Sequence, residues 1–93
     1  MDRQHEVALQ QALDEVYLDG ATSIRWDYLY LWFKAKRLSK TSYREIQNRW
    51  DEMCTAYERD KAPPLSILSR DHTFIIMRGA FENEQITPLK DWL

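Results

Sequence analysis

The spacing of hydrophobic positions changes along the chain, and each spacing predicts an element. Over residues 3 to 19, Leu9, Ala12, Leu13, Val16 and Tyr17 recur at helical intervals, while Gln10, Gln11, Asp14 and Glu15 face away. That is an amphipathic helix, with Asp2 as its N-cap and Gly20 as its stop. From Trp26 to Phe33 only Asp27 is polar, and the rest of the chain is organised around this run. Read as a helix over about 24 to 38, it has two apolar faces: Trp26, Leu29, Tyr30 and Phe33 on one, Tyr28, Leu31, Trp32, Ala35 and Leu38 on the other. A helix apolar all round is buried, so the second face needs neighbours or a partner. The competing strand reading rests on Ile24, Trp26, Tyr28, Tyr30 and Trp32 alternating with Arg25, Asp27, Leu29, Leu31 and Phe33, and on the strand preference of aromatics. Helix is favoured because Lys34 to Leu38 are good helix formers, no Gly or Pro interrupts 23 to 39, and Thr22 or Ser23 offers a cap.

Helical spacing returns in Tyr43, Ile46, Trp50, Met53 and Tyr57, preceded by Ser42 and Glu45 in the arrangement of a capping box, which predicts a helix over about 42 to 59. Glu45 and Arg49 stand four apart on its flank. Asp60 to Pro64 ends it, because paired prolines cannot continue a helix. Short apolar runs at 65 to 69 and 73 to 78, around the polar Arg70, Asp71 and His72, predict a β-hairpin, with a helix opening at Asp71 as the alternative. Thr87 and Pro88 open a terminal turn, from which Leu89, Trp92 and Leu93 anchor the tail over 87 to 93. The expected fold is therefore mainly α: a single domain over 1–93, three-helix and helix-turn-helix-like, with a C-terminal β-hairpin that would make it winged-helix-like.

Composition narrows the class. Ninety-three residues that are 44% hydrophobic, with two glycines and three prolines, make one ordered domain. No apolar run approaches the roughly 20 residues of a membrane span, and the polar start at Asp2, Arg3, Gln4, His5 and Glu6 is unlike a signal peptide. The expected location is intracellular, cytoplasmic or nuclear in a eukaryote, with no membrane partner. Cys54 is the single cysteine, which excludes an internal disulfide and a paired-cysteine zinc site; beside the apolar stripe it reads as a small buried hydrophobe. His5, solitary in the first turn, reads as an exposed structural residue.

The net charge of −2 conceals an asymmetry. Residues 1 to 24 carry −4, residues 25 to 49 carry +5, and residues 50 to 93 carry −3. The middle third is thus a basic island, suited to phosphate even within an acidic protein.

Catalytic motifs are missing: the sequence has no nucleophile elbow, Gly-rich phosphate loop or HExxH. Asp71 and His72 are adjacent with no nucleophile placed to meet them, and Glu82 and Glu84 are explained by a polar loop. No enzyme activity, cofactor or metal is expected. Two helices joined by a turn, with Lys34, Lys36, Arg37 and Lys40 near the turn and Arg44 and Asn48 on the next helix, instead suggest a helix-turn-helix. The second helix would offer its first turns to base edges while nearby cations hold phosphates. Arg44 suits guanine and Asn48 suits adenine. Asp51, Glu52 and Glu58 limit that approach to the N-terminal end.

The stretch from Leu38 to Met53, with hydroxyl residues entering the helix, Ile46, and the pair Arg49 and Trp50, resembles the third helix of Myb/SANT-type and trihelix-type domains over about residues 38 to 57. The resemblance implies that the helix reads a DNA major groove, with Trp50 in the core and Arg44 and Asn48 outward. Some SANT-like relatives bind protein rather than DNA, which keeps a second class open. Tyr28, Leu31 and Trp32 on the second face of the central helix are the kind of residues that dominate binding hot spots. On that reading the chain is a protein-binding regulator or inhibitor, or a homodimer that hides this face.

Overall fold

The structure, a computed structural model, describes residues 2–34, 37–57, 61–81 and 83–93. Its element order is α1 (Arg3–Asp19), β1 (Ala21–Arg25), α2 (Trp26–Phe33), α3 (Lys40–Ala56), β2 (Leu65–Ser69), β3 (Thr73–Arg78), β4 (Ile86–Pro88) and a 3-10 turn (Leu89–Trp92). The four strands form one antiparallel sheet in the order β1-β3-β2-β4. This sheet overturns the mainly α expectation: the fold is α+β, with three helices packed against four strands.

The correction begins at residue 21. Thr22 and Ile24 are buried while Ala21, Ser23 and Arg25 are exposed, the two-residue period of a strand lying on a core. Ala21 pairs with Met77 and Arg25 with Thr73, so the segment gains its hydrogen bonds from β3 rather than from a helical turn. Helix α2 therefore starts at Trp26, whose backbone N–H donates to the His72 carbonyl at 3.2 Å. It ends at Phe33 because Lys34 adopts a left-handed φ of 51° and turns its N–H back to Leu31. The predicted helix over 24 to 38 is thus a strand end, an eight-residue helix and a turn, with Ala35 and Lys36 outside the described residues.

Gly20 ends α1 with a φ of 95°, a conformation L side chains rarely adopt, and its N–H caps the Val16 carbonyl. Helix α3 begins two residues before the predicted start. Ser39 is the N-cap, and the reciprocal box joins Ser39 to Ser42 instead of Ser42 to Glu45. Glu45 accepts a 2.7 Å bond from Arg49, its neighbour one turn on. The helix closes at Ala56, and Glu58, Arg59 and Asp60 lie outside the described residues.

Leu9, Leu13 and Val16 of α1, Leu29 of α2, and Ile46, Trp50 and Met53 of α3 meet Ile24, Leu65, Ile67, Phe74 and Ile76 from the sheet. Leu89 of the 3-10 turn closes the same core. Trp50 is fully buried and donates its indole N–H to the Pro63 carbonyl at 2.8 Å, so the proline pair is fixed to the centre of α3. Cys54 is buried beside it. His5, expected on the surface, is buried on the inner side of α1, with Nδ1 3.9 Å from the Asp2 carboxylate. Ser66 faces away from the core yet is also buried, donating to the Gly79 carbonyl at 2.6 Å.

Candidate nucleic-acid interface

The connection between α2 and α3 runs from Lys34 to Ser39, and α3 presents an exposed stripe at Lys40, Arg44 and Asn48. These residues are four apart, so their side chains succeed one another by roughly 6 Å along the helix axis. Glu52 continues the exposed stripe, while Asp51 accepts a 2.9 Å bond from Gln47. Cation, cation, amide and carboxylate follow in that order. The charge along the stripe thus changes from positive in its N-terminal half to negative beyond it.

The basic island does not act as one patch. Arg25 is paired with Asp27 at 2.8 Å, and its guanidinium lies 5.2 Å from the Tyr28 ring centroid. Lys34 meets Asp2 at 3.1 Å, joining the end of α2 to the start of α1. That ammonium holds the Asp2 carboxyl below its ordinary value, first through the hydrogen bond and then through its charge. Arg49 points to the opposite side of α3, between Glu45 at 2.7 Å and Glu6 at 3.2 Å. Lys36 lies outside the described residues. Arg37 and Lys40 are exposed and make no ion pair among the described residues.

Arg44 is exposed but engaged, since its Nε and Nη2 both donate to the Leu93 carbonyl, at 3.2 and 2.9 Å. The contact belongs to a feature the sequence did not disclose. Tyr30 stacks on Trp26 at 5.8 Å, Trp26 meets Phe74 edge-on at 5.0 Å, Phe74 lies 6.2 Å from Tyr43, and Tyr43 meets Trp92 at 4.9 Å. This row crosses α2, β3, α3 and the 3-10 turn. Burial, with Tyr30 adding to it, raises the Tyr43 phenol above its ordinary value. No sequence spacing links these rings; only the strong apolarity around each could have hinted at them.

The hairpin tip between β2 and β3 is braced to α2. The Trp26 indole N–H donates to the Arg70 carbonyl at 2.7 Å, and Arg70 N–H donates to Thr73 at 2.9 Å. Arg70, Asp71 and His72 are exposed there, beside the N-terminal turn of α2. Among the described residues no three His, Cys, Asp or Glu side chains are grouped to hold a metal, and Glu82 lies outside them.

The expected protein-binding face divides. Tyr28 and Leu31 are 49% and 56% exposed on the outer side of α2, whereas Trp32 is half-buried and packs against the core. Trp32 turns inward because α2 is short and its flanks are covered by α1 and β1, which leaves Tyr28 and Leu31 as the outward pair. No helix among the described residues is long and apolar enough to cross a membrane. Compared with known proteins, the chain matches no family profile, no curated protein and no solved structure.

Proposed function

We propose that this chain is a small non-enzymatic DNA-binding regulator that offers the N-terminal half of α3 to the major groove. The observation that carries the reading is the exposed stripe of Lys40, Arg44 and Asn48 at the start of a helix preceded by a turn with Arg37. An arginine and an amide one turn apart can reach adjacent base edges, while Arg37 and Lys40 meet flanking phosphates. The acidic far end of α3 restricts entry to the helix's first turns. A braced hairpin tip on the α2 side supports a second backbone contact through Arg70.

The test is fluorescence anisotropy of a labelled mixed-sequence duplex titrated with the protein at low and at physiological salt. Three phosphate contacts would give a salt slope of about −2.7, and replacing Arg37 and Lys40 by Glu should abolish binding without changing the circular dichroism spectrum. No binding at low salt would sink the proposal.

A second reading has its own support. Tyr28 and Leu31 form an exposed apolar pair on α2, the feature expected of a chain that occupies a protein partner or a second copy of itself. On this reading Leu31→Glu abolishes association in sedimentation and leaves DNA binding alone.

A further inference from the structure

We infer that the C-terminal 3-10 turn is an intramolecular strap that competes with DNA for Arg44, an inference that rests on the DNA-binding reading above. Within the stripe Lys40, Arg44 and Asn48, only Arg44 has its polar head consumed by the chain itself. Both guanidinium bonds go to one carbonyl, that of Leu93, so the fork cannot also present Nε and Nη2 to the paired acceptors of a guanine. Two of the five N–H donors of the residue best suited to specify a base are thus occupied in the unbound protein.

The strap has a fixed end and a releasable end. Its fixed end is Leu89, fully buried in the core, preceded by the pairing of Ile86 with Leu68 and Pro88 with Ser66. Beyond it, Lys90 and Asp91 are exposed, and Trp92 and Leu93 are only partly covered. They are held by packing against the edge of the core, by the edge-on contact of Trp92 with Tyr43 at 4.9 Å, by the two bonds from Arg44, and within the turn by the Leu93 N–H donating to the Lys90 carbonyl at 3.4 Å. Rotation about the backbone after Leu89 would open the 3-10 turn and lift Trp92 and Leu93 from α3 and the edge of the core, while leaving the buried leucine and the β2–β4 ladder in place. Tyr43 and Arg44 are consecutive on α3, so a single movement frees both. Full use of Arg44 by DNA follows only after the strap's contacts are given up, which lowers affinity and makes Trp92 and Leu93 a control point.

The experiment compares the full chain, Trp92→Ala, and a form ending at Asp91 by anisotropy on one duplex at one salt concentration. Each variant is also tested with Arg44→Ala added, and circular dichroism reports folding. The strap predicts that both releasing variants bind roughly tenfold tighter than the full chain, a factor equivalent to about 1.4 kcal/mol. Adding Arg44→Ala should erase the gain. Equal or weaker binding by Trp92→Ala and the shortened form, with the full chain binding DNA, overturns the strap and leaves the DNA reading intact. A gain that survives Arg44→Ala also overturns it, because the effect would then lie outside the proposed contact. If neither the full chain nor either folded variant binds DNA, both readings fall together. Trp92→Ala guards the test against misfolding of the shortened form, since it removes one partly exposed ring and keeps the backbone.

Discussion

Replacing Trp50 with Phe tests the account of how α3 is held. Trp50 is 0% exposed in the middle of the core, so nothing at the surface can compensate for the change. The smaller ring vacates roughly 40 Å³, which at about 24 cal/mol per Å³ costs about 1 kcal/mol if the site does not collapse. Less apolar area is then buried, removing about another 1 kcal/mol. The phenyl ring also lacks the N–H that meets the Pro63 carbonyl at 2.8 Å, and a partly buried acceptor left without its donor costs about 1 kcal/mol more. The total is about 3 kcal/mol, a large share of the roughly 5–15 kcal/mol that holds a small domain together. Urea denaturation followed by far-UV circular dichroism measures it, with the slope against urea unchanged. A loss below 1 kcal/mol would refute the reasoning, because it would mean that neither the packing nor the Pro63 bond supports α3 as described.

Gly20→Ala should cost about 1–2 kcal/mol in the same assay, since the left-handed conformation at φ 95° penalises a Cβ even though the nearest atom, Arg78 Nη2, is 4.0 Å away. Carboxyl titration by NMR should find Asp2 below the ordinary aspartate value, and Lys34→Ala should return it upward. Because the folded-state value is depressed, any stabilisation from this pair is present above the unfolded value and is lost as pH falls through the folded one. Tyr43 has the opposite sign: its phenol is raised by burial, so its contribution is whole below the unfolded value and is lost as pH rises through the folded value. Spectrophotometric titration should show two late phenols, Tyr43 and Tyr57, the latter raised chiefly by the charge of Asp14; one of them should disappear in Tyr43→Phe, whose unfolding should respond less to alkaline pH.

Elements whose signals are local could be read from the sequence. The period of α1 and its glycine stop lie within a single stretch, and the runs at 65–69 and 73–78 are separated by a short polar turn that lets them pair with each other. Elements that depend on distant pairing could not. Residues 21–25 become a strand only because β3, some fifty positions away, supplies the hydrogen bonds, and the aromatic run beside them carried no sign of where strand ends and helix begins. The left-handed Lys34 is a lysine among good helix formers, so propensity argued against the turn that tertiary structure imposes there. Similarly, β4 is three residues long and owes its existence to the exposed edge of β2. For the interface, placing Arg44 and Asn48 outward needed only helical period, whereas the capture of Arg44 by Leu93 spans 49 positions and leaves no trace in composition or spacing. The burial of His5 is illegible for a related reason: its neighbours in sequence are polar, but the side of α1 on which it lies faces the core.

The sheet order has a consequence for the path by which the chain folds. Its first strand lies beside its third, and its second lies between the third and the fourth, so β2 and β3 can pair as neighbours but β1 must wait for β3. The three helices emerge from the ribosome with the apolar inner surface of α1 and α3 still lacking the strands that cover it. Only when Phe74, Ile76 and then Leu89 arrive can β1 be paired and the core closed. Pairings this remote must overcome loop-closure entropy before they are rewarded, which makes folding slower than the helical content alone would suggest. The state most exposed to aggregation is consequently the one in which the helices have formed and β3 has not yet paired with β1.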